Sequence, residues 1–503
     1  MSTTGALAGA VAMIFAILVA YLASVLGVTF PPVALGQAII EGLPGAITIP
    51  LIELLQHWAQ RLLVVGAVAL YLLAGGATGV AAANARVATA AVVGLGALPW
   101  VASVVLAQVL AGAKIDLGGS LLGSAVGAAA FFGGLAFLLA AERVATPVAL
   151  GRRRALLGAL GAAAVLAVAS TFIGGVARAA RAKAEPVALA VRRLRASEPV
   201  AAGEPAYEAT ARLTSRLTKN EDHYTVDTTL IKPRVDAATW RLTVGGDVER
   251  PYAISYDDLL DMEAVERPHT LECISNEIGG DLISTAIWVG VPMADLLARA
   301  VPKAGAYDVV LTSVDGYTDS IRLAKAQDPD TLVAYLMNGV TLPEEHGYPA
   351  RALIPGIYGM KNVKWLARIE VATYDFQGYW MERGWSDIAA YNTHVRIDTP
   401  TASARVTDGT LVIAGIAFAG QRGIAKVEIS TDAGKTWSEA ALETPPGRHT
   451  WRRWRYIWTA PVAGRHRLVA RATDGQGQVQ TSVRRPPFPD GSTGYHEVEV
   501  GVS

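Results

Sequence analysis

Long apolar runs separated by short polar breaks fill the first third of the chain. Five of these runs approach the roughly 20 apolar residues that a helix needs to cross a bilayer. We therefore predict about five transmembrane helices, which together form a helical membrane anchor over residues 1–175. The predicted spans are about residues 5–28, 61–82, 87–111, 120–141 and 154–175.

The stretch between the first two spans is apolar but repeatedly interrupted. Prolines break helices and carboxylates fit poorly in lipid, so an interfacial or re-entrant segment is predicted here. A sixth transmembrane span is the alternative. The interrupting residues are Pro31, Pro32, Pro44, Pro50, Glu41 and Glu53.

A polar stretch with spaced prolines follows the last span. Residues 176–215 carry Pro186, Pro199 and Pro205 and are predicted to be a linker. Their basic part, residues 186–195, is expected to form either a short amphipathic helix on the lipid surface or a solvated tether.

Residues 216–395 mix short β-rich runs with segments of helical spacing. Residues 239–244 and 308–313 favour strands. Residues 257–260 and 292–300 carry the apolar spacing and capping residues of helices. The mixture predicts an α+β domain.

Apolar and polar positions alternate over several short runs in residues 396–503, and turns containing Gly and Asp separate these runs. This alternation predicts an all-β domain, an immunoglobulin-like sandwich of two sheets. Trp451, Trp454 and Trp458 are predicted to be core or interface residues. The runs are residues 411–418, 425–430, 450–458 and 466–473.

The net charge of the chain is zero and gives no argument for nucleic acid as a partner. Basic residues instead orient the anchor, because loops rich in Lys and Arg stay in the cytoplasm. They place the N-terminus in the cytoplasm and everything after the fifth span outside, although a basic run beyond that span opposes this orientation. The orienting residues are Arg86, Arg143, Arg152, Arg153 and Arg154 against Arg61 and Lys114, and the opposing ones are Arg178, Arg181, Lys183, Arg192, Arg193 and Arg195.

The predicted anchor contains one histidine, His57, near a membrane interface, and the chain has no Cys-x-x-Cys-His motif. A haem held between two spanning helices needs a pair of axial ligands. The helices are therefore expected to serve as an anchor, or as a docking site for a quinone or an electron-transfer partner.

Cys273 is the only cysteine, so no intramolecular disulfide is possible. It follows a short β-rich run and opens into a loop that ends at Gly279 and Gly280. Three roles are open to it: a buried structural thiol, a nucleophile, or a ligand for a thiophilic metal.

Three motifs follow one another in this part of the chain: Thr-Leu-Glu-Cys-Ile-Ser-Asn at 270–276, His-Gly-Tyr-Pro-Ala-Arg at 346–351 and Gly-Met-Lys-Asn-Val-Lys-Trp at 359–365. Their order and spacing resemble the molybdopterin-dependent sulfite oxidase family, from about Tyr224 to the C-terminus. The resemblance implies a molybdenum–molybdopterin cofactor with Cys273 as the ligand of the metal. It also implies a homodimer formed through the C-terminal domain.

The resemblance further implies a set of cofactor-binding residues. His346 and Arg351 match positions that bind the pterin and phosphate, although such a pair would by itself indicate a solvated surface turn. Asp315 matches a position that contacts the pterin, and by itself would indicate a turn aspartate. Gly356 and Gly359 would let backbone amides approach a phosphate closely. The full set is Tyr224, Asp315, His346, Arg351, Asn362, Val363 and Lys364.

The substrate pocket departs from the family pattern, in which arginines and a tyrosine hold dianionic sulfite. Asp227 and Ile278 stand where two arginines are expected, and Trp385 stands where the tyrosine is expected. Arg422 matches a remaining basic position. A carboxylate in place of a cation disfavours a dianion, so a neutral or less charged substrate such as a sulfoxide is predicted instead of free sulfite. The predicted catalytic residues are Cys273, Asp227, Trp385 and Arg422.

Together these features predict a membrane-anchored molybdenum oxidoreductase that moves an oxygen atom to or from a small substrate outside the cytoplasm. Arg153-Arg154-Ala-Leu-Leu resembles a twin-arginine export signal, which would let a domain loaded with cofactor cross in folded form. An ordinary positive-inside cluster is the alternative for this motif. The alternative functions are a sulfite dehydrogenase with a rebuilt anion pocket and a non-catalytic membrane scaffold.

Overall fold

The computed structural model describes most of the chain and divides it into two compact units. The first unit comprises Met1–Glu185 with Asp227–Ile231, and the second comprises Pro186–Val226 with Lys232–Ser503. The described residues are 2–25, 28–44, 47, 51, 59–84, 87–111, 117–144, 187–230, 232–401, 405–406, 409–459 and 462–502.

The described elements of the first unit are helices. Four of its helices are long and apolar enough to cross a membrane, over Thr4–Ser24, Arg61–Ala82, Thr89–Leu110 and Leu117–Leu139. These match the first four predicted spans, while residues 154–175 and the Arg153-Arg154 motif lie outside the described residues. The helices are α1 (Ser2–Val25), α2 (Pro31–Gly42), α3 (Ala59–Ala82), α4 (Thr89–Leu106), which continues as a π-helix at Ala107–Ala111, and α5 (Leu117–Val144).

Small residues let α1 and α3 approach closely. A Cβ on Gly9 of α1 would lie 2.0 Å from the carbonyl oxygen of Gly75 on α3, so only glycine fits this crossing. On other faces large apolar side chains point outward, and Leu73, Val109 and Phe137 are each at least 70% exposed. The described helices therefore have the packed interior and apolar exterior of a membrane-embedded bundle.

Helix α2 occupies the proline-interrupted stretch between the first two spans. Pro31 and Pro32 form its first turn, where a missing backbone N–H costs nothing. Its 12 residues extend roughly 18 Å, well short of the ~30 Å hydrocarbon core. This helix is by itself too short to span a bilayer, and the interfacial or re-entrant segment stays a prediction.

Two sheets and their covering helices form the first half of the second unit. One sheet has the order β1-β4-β5-β8-β10, with β9 paired to β8, and the other has the order β3-β2-β11-β6-β7. One core joins the sheets, and it includes Val244, Val291, Leu311 and Tyr335. The strands are β1 (Leu194–Ser197), β2 (Arg241–Gly246), β3 (Tyr252–Ser255), β4 (Ala264–Glu272), β5 (Ile283–Pro292), β6 (Asp308–Ser313), β7 (Thr318–Arg322), β8 (Leu332–Met337), β9 (Val340–Thr341), β10 (Arg351–Leu353) and β11 (Leu366–Ala372).

Short helices connect these strands, as the α+β prediction requires. The helix after β3 begins with a capping box in which Ser255 and Asp258 bond each other's backbone N–H. The helices are α6 (Pro205–Glu208), α7 (Tyr256–Leu260), α8 (Met293–Ala300) and α9 (Leu323–Ala326), and the 3₁₀ turns are Glu344–His346 and Gly359–Lys361.

The predicted linker differs from the structure after residue 187. Residues Leu194–Ser197 form β1, which pairs in parallel with β4. The basic residues beside it form ion pairs with acidic residues of the same unit. Arg192 bonds Asp257 and Asp261, and Arg195 bonds Glu263 and Asp295.

The C-terminal part contains two further sheets around a separate core. One sheet has the order β12-β14-β18-β17 and the other β13-β20-β19-β15-β16. Trp451 and Trp454 are at most 1% exposed, as predicted for core residues, and Trp458 packs against the core from its edge. The strands are β12 (His394–Thr399), β13 (Arg405–Val406), β14 (Thr410–Phe418), β15 (Ile424–Ser430), β16 (Ser438–Glu439), β17 (Ala441–Leu442), β18 (Arg452–Thr459), β19 (Gly464–Asp474) and β20 (His496–Val502).

Candidate active site

Cys273 lies immediately after β4, at the start of the loop that turns back into β5. Its backbone N–H donates to the carbonyl of Leu282 at 2.9 Å, which extends the β4–β5 ladder by one step. The side chain is 7% exposed, and its Sγ lies 3.0 Å from the hydroxyl of Ser275. The β4–β5 hairpin therefore fixes where the sulfur lies.

Asn276 shapes the loop that carries Cys273. Its Oδ1 accepts from the backbone N–H of Leu282 at 3.0 Å, and its Nδ2 donates to Oε1 of Glu272 at 3.0 Å. Burial raises the pKa of Glu272 to about 8 and lowers that of its neighbour His394 to about 4. Nε2 of His394 lies 3.2 Å from Oε1 of Glu272, and burial favours the neutral form of both groups.

Burial raises the pKa of the Cys273 thiol, while Ser275 and, more weakly, Lys364 act to lower it. A thiol with a raised pKa is a poor nucleophile at neutral pH, so the geometry disfavours that reading. Among the described residues no group of three or more His, Cys, Asp and Glu side chains could hold a metal ion. A metal bound by this sulfur would need its other ligands from a cofactor.

His346 and Arg351 meet Asn362 in a buried cluster. Nε2 of His346 lies 2.8 Å from the carbonyl of Asn220. The guanidinium of Arg351 donates to the carbonyls of His346 at 3.1 Å and Asn362 at 3.0 Å. His346, Arg351 and Asn362 are each at most 5% exposed, which rules out the solvated surface turn.

Asn362, Val363 and Lys364 follow the Gly359–Lys361 turn, and their side chains make three different kinds of contact. The Asn362 side chain accepts from the backbone N–H of Ile354 at 2.6 Å. Val363 has its side chain in the hydrophobic core, and its carbonyl accepts from the backbone N–H of Ala352 at 2.8 Å. Lys364 donates from Nζ to the carbonyl of Glu345 at 3.0 Å.

Asp315 lies in the turn between β6 and β7. Its carboxylate accepts from the backbone N–H of Tyr317 at 3.0 Å, as a turn aspartate does. The same turn contacts the loop that carries Lys364, because the backbone N–H of Val314 donates to the carbonyl of Trp365 at 2.8 Å. Asp315 is thus a turn aspartate, and this role is compatible with the predicted contact to a pterin.

Tyr224 and His223 complete the cluster, and the sequence did not single out His223. The two rings stack with centroids 5.5 Å apart, and the His223 ring meets that of His346 edge-on at 5.1 Å. A Cβ on Gly359 would collide with the Tyr224 hydroxyl, which explains the glycine there. The only sequence signal for His223 was its position beside Tyr224.

The hydrogen bonds described above for this cluster do not involve Trp385, Arg422 or Asp227, the three remaining predicted residues. Trp385 packs edge-on against Phe488 at 5.3 Å, and its indole N–H has no partner among the described residues. Arg422 pairs with Asp474 at 2.8 Å and donates to the carbonyl of Tyr391. Asp227 belongs to the helical unit, so its place beside a substrate stays a prediction, as do the roles of Trp385 and Arg422.

The cluster fits a polar cofactor. Nε2 of His223 is buried and has no hydrogen-bond partner in the described part of the chain, a state that costs about 1–3 kcal/mol unless a ligand satisfies it. Burial and the neighbouring His346 keep the pKa of His223 well below its usual range. Nδ1 of His223 lies 3.2 Å from the carbonyl of Tyr224 and donates to it. In the neutral ring Nε2 is therefore left as an acceptor for an N–H or O–H of a ligand.

Comparison with known families agrees with this geometry. The model of the oxidoreductase molybdopterin binding domain matches residues 229–380, and that of the Mo-co oxidoreductase dimerisation domain matches residues 386–485. Sulfite oxidase of Arabidopsis thaliana is 30% identical over 300 residues, which cover 48% of this chain and 76% of that protein. The chain belongs to the sulfite oxidase family. The family consists of molybdopterin-dependent oxidoreductases, and Cys273, His346, Arg351 and Asn362 lie within the residues matched by the molybdopterin-binding domain.

Another sulfite oxidase and one solved structure mark how far the similarity extends. Mitochondrial sulfite oxidase of Mus musculus is 31% identical, and the match covers 54% of this chain and 59% of that protein. The chain therefore spans somewhat over half the length of that relative. The sulfane dehydrogenase SoxCD from Paracoccus pantotrophus has the same fold, with a TM-score of 0.51 and 23% identity over 58% of this chain and 84% of that chain.

Proposed function

We propose that this chain is a membrane-anchored molybdenum enzyme that transfers an oxygen atom to or from a small substrate other than free sulfite. The observation that carries the proposal is the buried thiol at the end of β4. Among the described residues it belongs to no group of three or more His, Cys, Asp and Glu side chains that could hold a metal ion. A buried cluster of neutral and cationic donors belongs to the same domain. Such a site suits a metal that arrives with its own ligands.

In this proposal Cys273 binds the molybdenum, and the buried cluster holds the pterin. Once bound, the cofactor supplies a metal that exchanges two electrons and an oxygen atom with the substrate. Arg351 and Lys364 would provide charge-assisted hydrogen bonds to a phosphate. His223 and His346 would bond the polar edges of the pterin, and Tyr224, Asn362, Val363 and Asp315 would line the site.

The protein's own contribution is to keep the thiolate bound and the site dry. The Ser275 hydroxyl, 3.0 Å from Sγ, would donate to the sulfur once it is deprotonated. Hydrogen bonds to a metal-bound sulfur withdraw charge from it and tune the metal. Burial of the sulfur limits access by solvent and by competing thiols.

The charges available for a substrate disfavour a dianion. Ile278 and Trp385 carry no charge at positions where the family pattern has a cation and a phenol. The guanidinium of Arg422 is already paired with Asp474. A dianion brought into a partly dry site without new cations would lose more hydration than it regains, so a sulfoxide or another neutral oxo-acceptor is the better fit.

The four apolar helices support a membrane anchor, and a quinone or a separate electron-transfer protein would exchange electrons with the enzyme. The proposed location of the catalytic domain is the extracytoplasmic face of the cell membrane. The family's dimerisation domain supports a homodimer formed through the C-terminal part, which we take to be an immunoglobulin-like sandwich.

A dye-linked assay of the purified, detergent-solubilised chain tests the substrate. We compare kcat/KM for the reduction of a neutral sulfoxide, measured with a reduced dye, with kcat/KM for the oxidation of sulfite, measured with an oxidised dye. We expect the first value to be at least tenfold higher, which is roughly the effect of one charged hydrogen bond. Ile278→Arg should raise the sulfite rate, whereas Ile278→Gln, similar in size but uncharged, should not. Faster turnover of sulfite by the wild type would contradict the proposal.

A sulfite dehydrogenase with a rebuilt anion pocket is the second candidate. Identity of about 30% to sulfite oxidases from an animal and a plant favours it, as does Lys364, a cation that acts on Cys273. If the wild type oxidises sulfite and Lys364→Met raises KM for sulfite, this candidate replaces the first.

A further inference from the structure

The C-terminal sheets contact the back of the loop that carries Cys273. The hydroxyl of Ser492, in the segment before β20, donates to the backbone carbonyl of Asn276 at 2.7 Å. Arg396 of β12 donates from Nη1 to the carbonyl of Gly280 at 2.8 Å. Both carbonyls belong to the loop between β4 and β5, which we call the cysteine loop (residues 273–282).

The C-terminal sheets make two further contacts with this part of the chain. Nε2 of His394, also on β12, lies 3.2 Å from Oε1 of Glu272, directly before the cysteine. The ring of His496 fills the space that a Cβ on Gly279 would occupy, so glycine is required where the loop meets β20. The C-terminal sheets thus contact the start, the middle and the end of the cysteine loop.

The loop needs such support because its own bonds fix only part of it. Asn276 ties the loop to Leu282 and Glu272, but the carbonyls of Asn276 and Gly280 are satisfied from the C-terminal part. A metal ligand must be held to within about 0.5 Å of its working position. Residues that bond the ligand's loop from outside are therefore suited to set that position.

We propose that the C-terminal domain positions the metal-binding sulfur, with Ser492 and Arg396 as the positioning residues. The inference rests on the proposed function, because it takes Cys273 to be the ligand of molybdenum. It gives the domain that the family uses for dimerisation a second role, as the outer support of the catalytic loop.

Ser492 is the better residue for a test. It is 6% exposed and its hydroxyl makes the bond to Asn276. Arg396 also bonds Asp398 and Thr214 at 2.6 Å each, so its removal would disturb more than the loop. Ser430, 1% exposed on β15 and bonded to Asp432, offers a matched buried hydroxyl in the same domain away from the loop.

The experiment uses the full chain in detergent and compares wild type, Ser492→Ala, Ser492→Thr and Ser430→Ala. Molybdenum content, the electron paramagnetic resonance spectrum of Mo(V), and kcat and KM with the substrate that the wild type turns over are measured. We expect Ser492→Ala to retain the metal and to show a broadened or split Mo(V) signal. Its kcat should fall roughly three- to tenfold with KM unchanged, which is the effect of one lost hydrogen bond. Ser492→Thr should restore the spectrum, and Ser430→Ala should leave it unchanged.

An unchanged Mo(V) spectrum and kcat in Ser492→Ala would overturn the inference while leaving the proposed function intact. A wild type without molybdenum would overturn the proposed function and this inference with it. If Ser492→Ala does not fold, Arg396→Lys is read in the same spectrum, and a wild-type signal there would count against the inference.

Discussion

Burial sets the protonation states of the histidines in the candidate site. Burial lowers the pKa of His346 to about 4 and holds that of His223 well below its usual range. Both rings are therefore neutral at physiological pH. Each donates its one N–H to a backbone carbonyl, so its other nitrogen is left as an acceptor. The positive charge of the cluster comes from Arg351 and Lys364 instead, which suits a ligand with both polar edges and an anionic group.

His223→Phe tests the cofactor role of this ring. Phenylalanine keeps the packing against Tyr224 and His346 but cannot bond a ligand, so we expect pterin content of the purified chain to fall roughly five- to tenfold while the melting temperature stays within a few degrees. Pterin fluorescence after oxidation of the denatured protein measures the content. His269→Phe replaces another buried neutral histidine, and its pterin content should match the wild type; equal content in both variants would remove His223 from the site.

Individual site residues could be predicted to different degrees. His346, Arg351 and Asn362 were found because their motifs keep order and spacing, and the structure brings all three together. His223 carries no motif of its own, because its environment comes from His346 and Trp288, far along the chain. The partner of Arg422 could not be predicted either, since Asp474 lies at the end of β19, 52 residues further along the chain.

Among the elements, a buried ion pair connects the Gly359–Lys361 turn to the sheet that contains β7. Nζ of Lys361, in the Gly359–Lys361 turn, donates to Asp319 of β7 at 2.9 Å and to the carbonyl of Ser320 at 2.8 Å. The Lys361 and Asp319 side chains are at most 2% exposed. This pair holds the turn that leads to Asn362 against β7.

Lys361→Met should destabilise the chain by about 3–5 kcal/mol, because it leaves the carboxylate of Asp319 buried without its cation. The double variant Lys361→Met/Asp319→Leu should recover most of that loss, since both charges are then gone. Chemical denaturation followed by tryptophan fluorescence measures the free energy of unfolding. A single variant as stable as the wild type would show that the pair does not hold the turn.

His496 gives the C-terminal sheets a pH-dependent stability. Burial, helped by Arg396 and Arg484 and opposed by Asp398, lowers its pKa from 6.5 to about 4, and its Nδ1 accepts from the backbone N–H of Ile397 at 2.9 Å. Between these pH values the unfolded chain binds the proton and the folded chain does not. The free energy of unfolding should therefore fall as pH is lowered from about 6.5 to 4, by up to about 3 kcal/mol for this residue.

His496→Gln removes this titration while keeping a side chain that can accept from Ile397. We expect the variant to lose less stability than the wild type between pH 7 and pH 4.5, as measured by denaturant midpoints at both values. The buried His346 and His394 titrate in the same direction, so some acid sensitivity should remain. Identical pH profiles for variant and wild type would contradict the assignment.

The elements themselves were predictable where one periodicity dominated. The four described spans and strands such as β6 follow directly from apolar runs and β-rich segments. Strand β1 was not predicted, because Leu-Arg-Ala-Ser is a run of only four residues, and all four are exposed. Its pairing with β4 and the ion pairs of Arg192 and Arg195 place it in the sheet.

For the molecule as a whole, the helical unit predicts firm attachment to membranes. Its apolar side chains are exposed on four helices of more than 20 residues in their candidate spans. We expect the full chain to stay in the membrane pellet after washes with high salt and with alkaline carbonate, and to be released by detergent. Release by carbonate alone would mean that the helices do not insert.

The central claim is that the one cysteine of the chain holds molybdenum, and elemental analysis tests it most directly. Purified full-length wild type and Cys273→Ser are compared, with His269→Phe as a control for handling of a buried variant. We predict close to one molybdenum per chain in the wild type and the control, and a loss of at least severalfold in Cys273→Ser, whose hard oxygen replaces a soft sulfur. A wild type that contains no molybdenum, or a Cys273→Ser variant that retains as much as the wild type, would contradict the account.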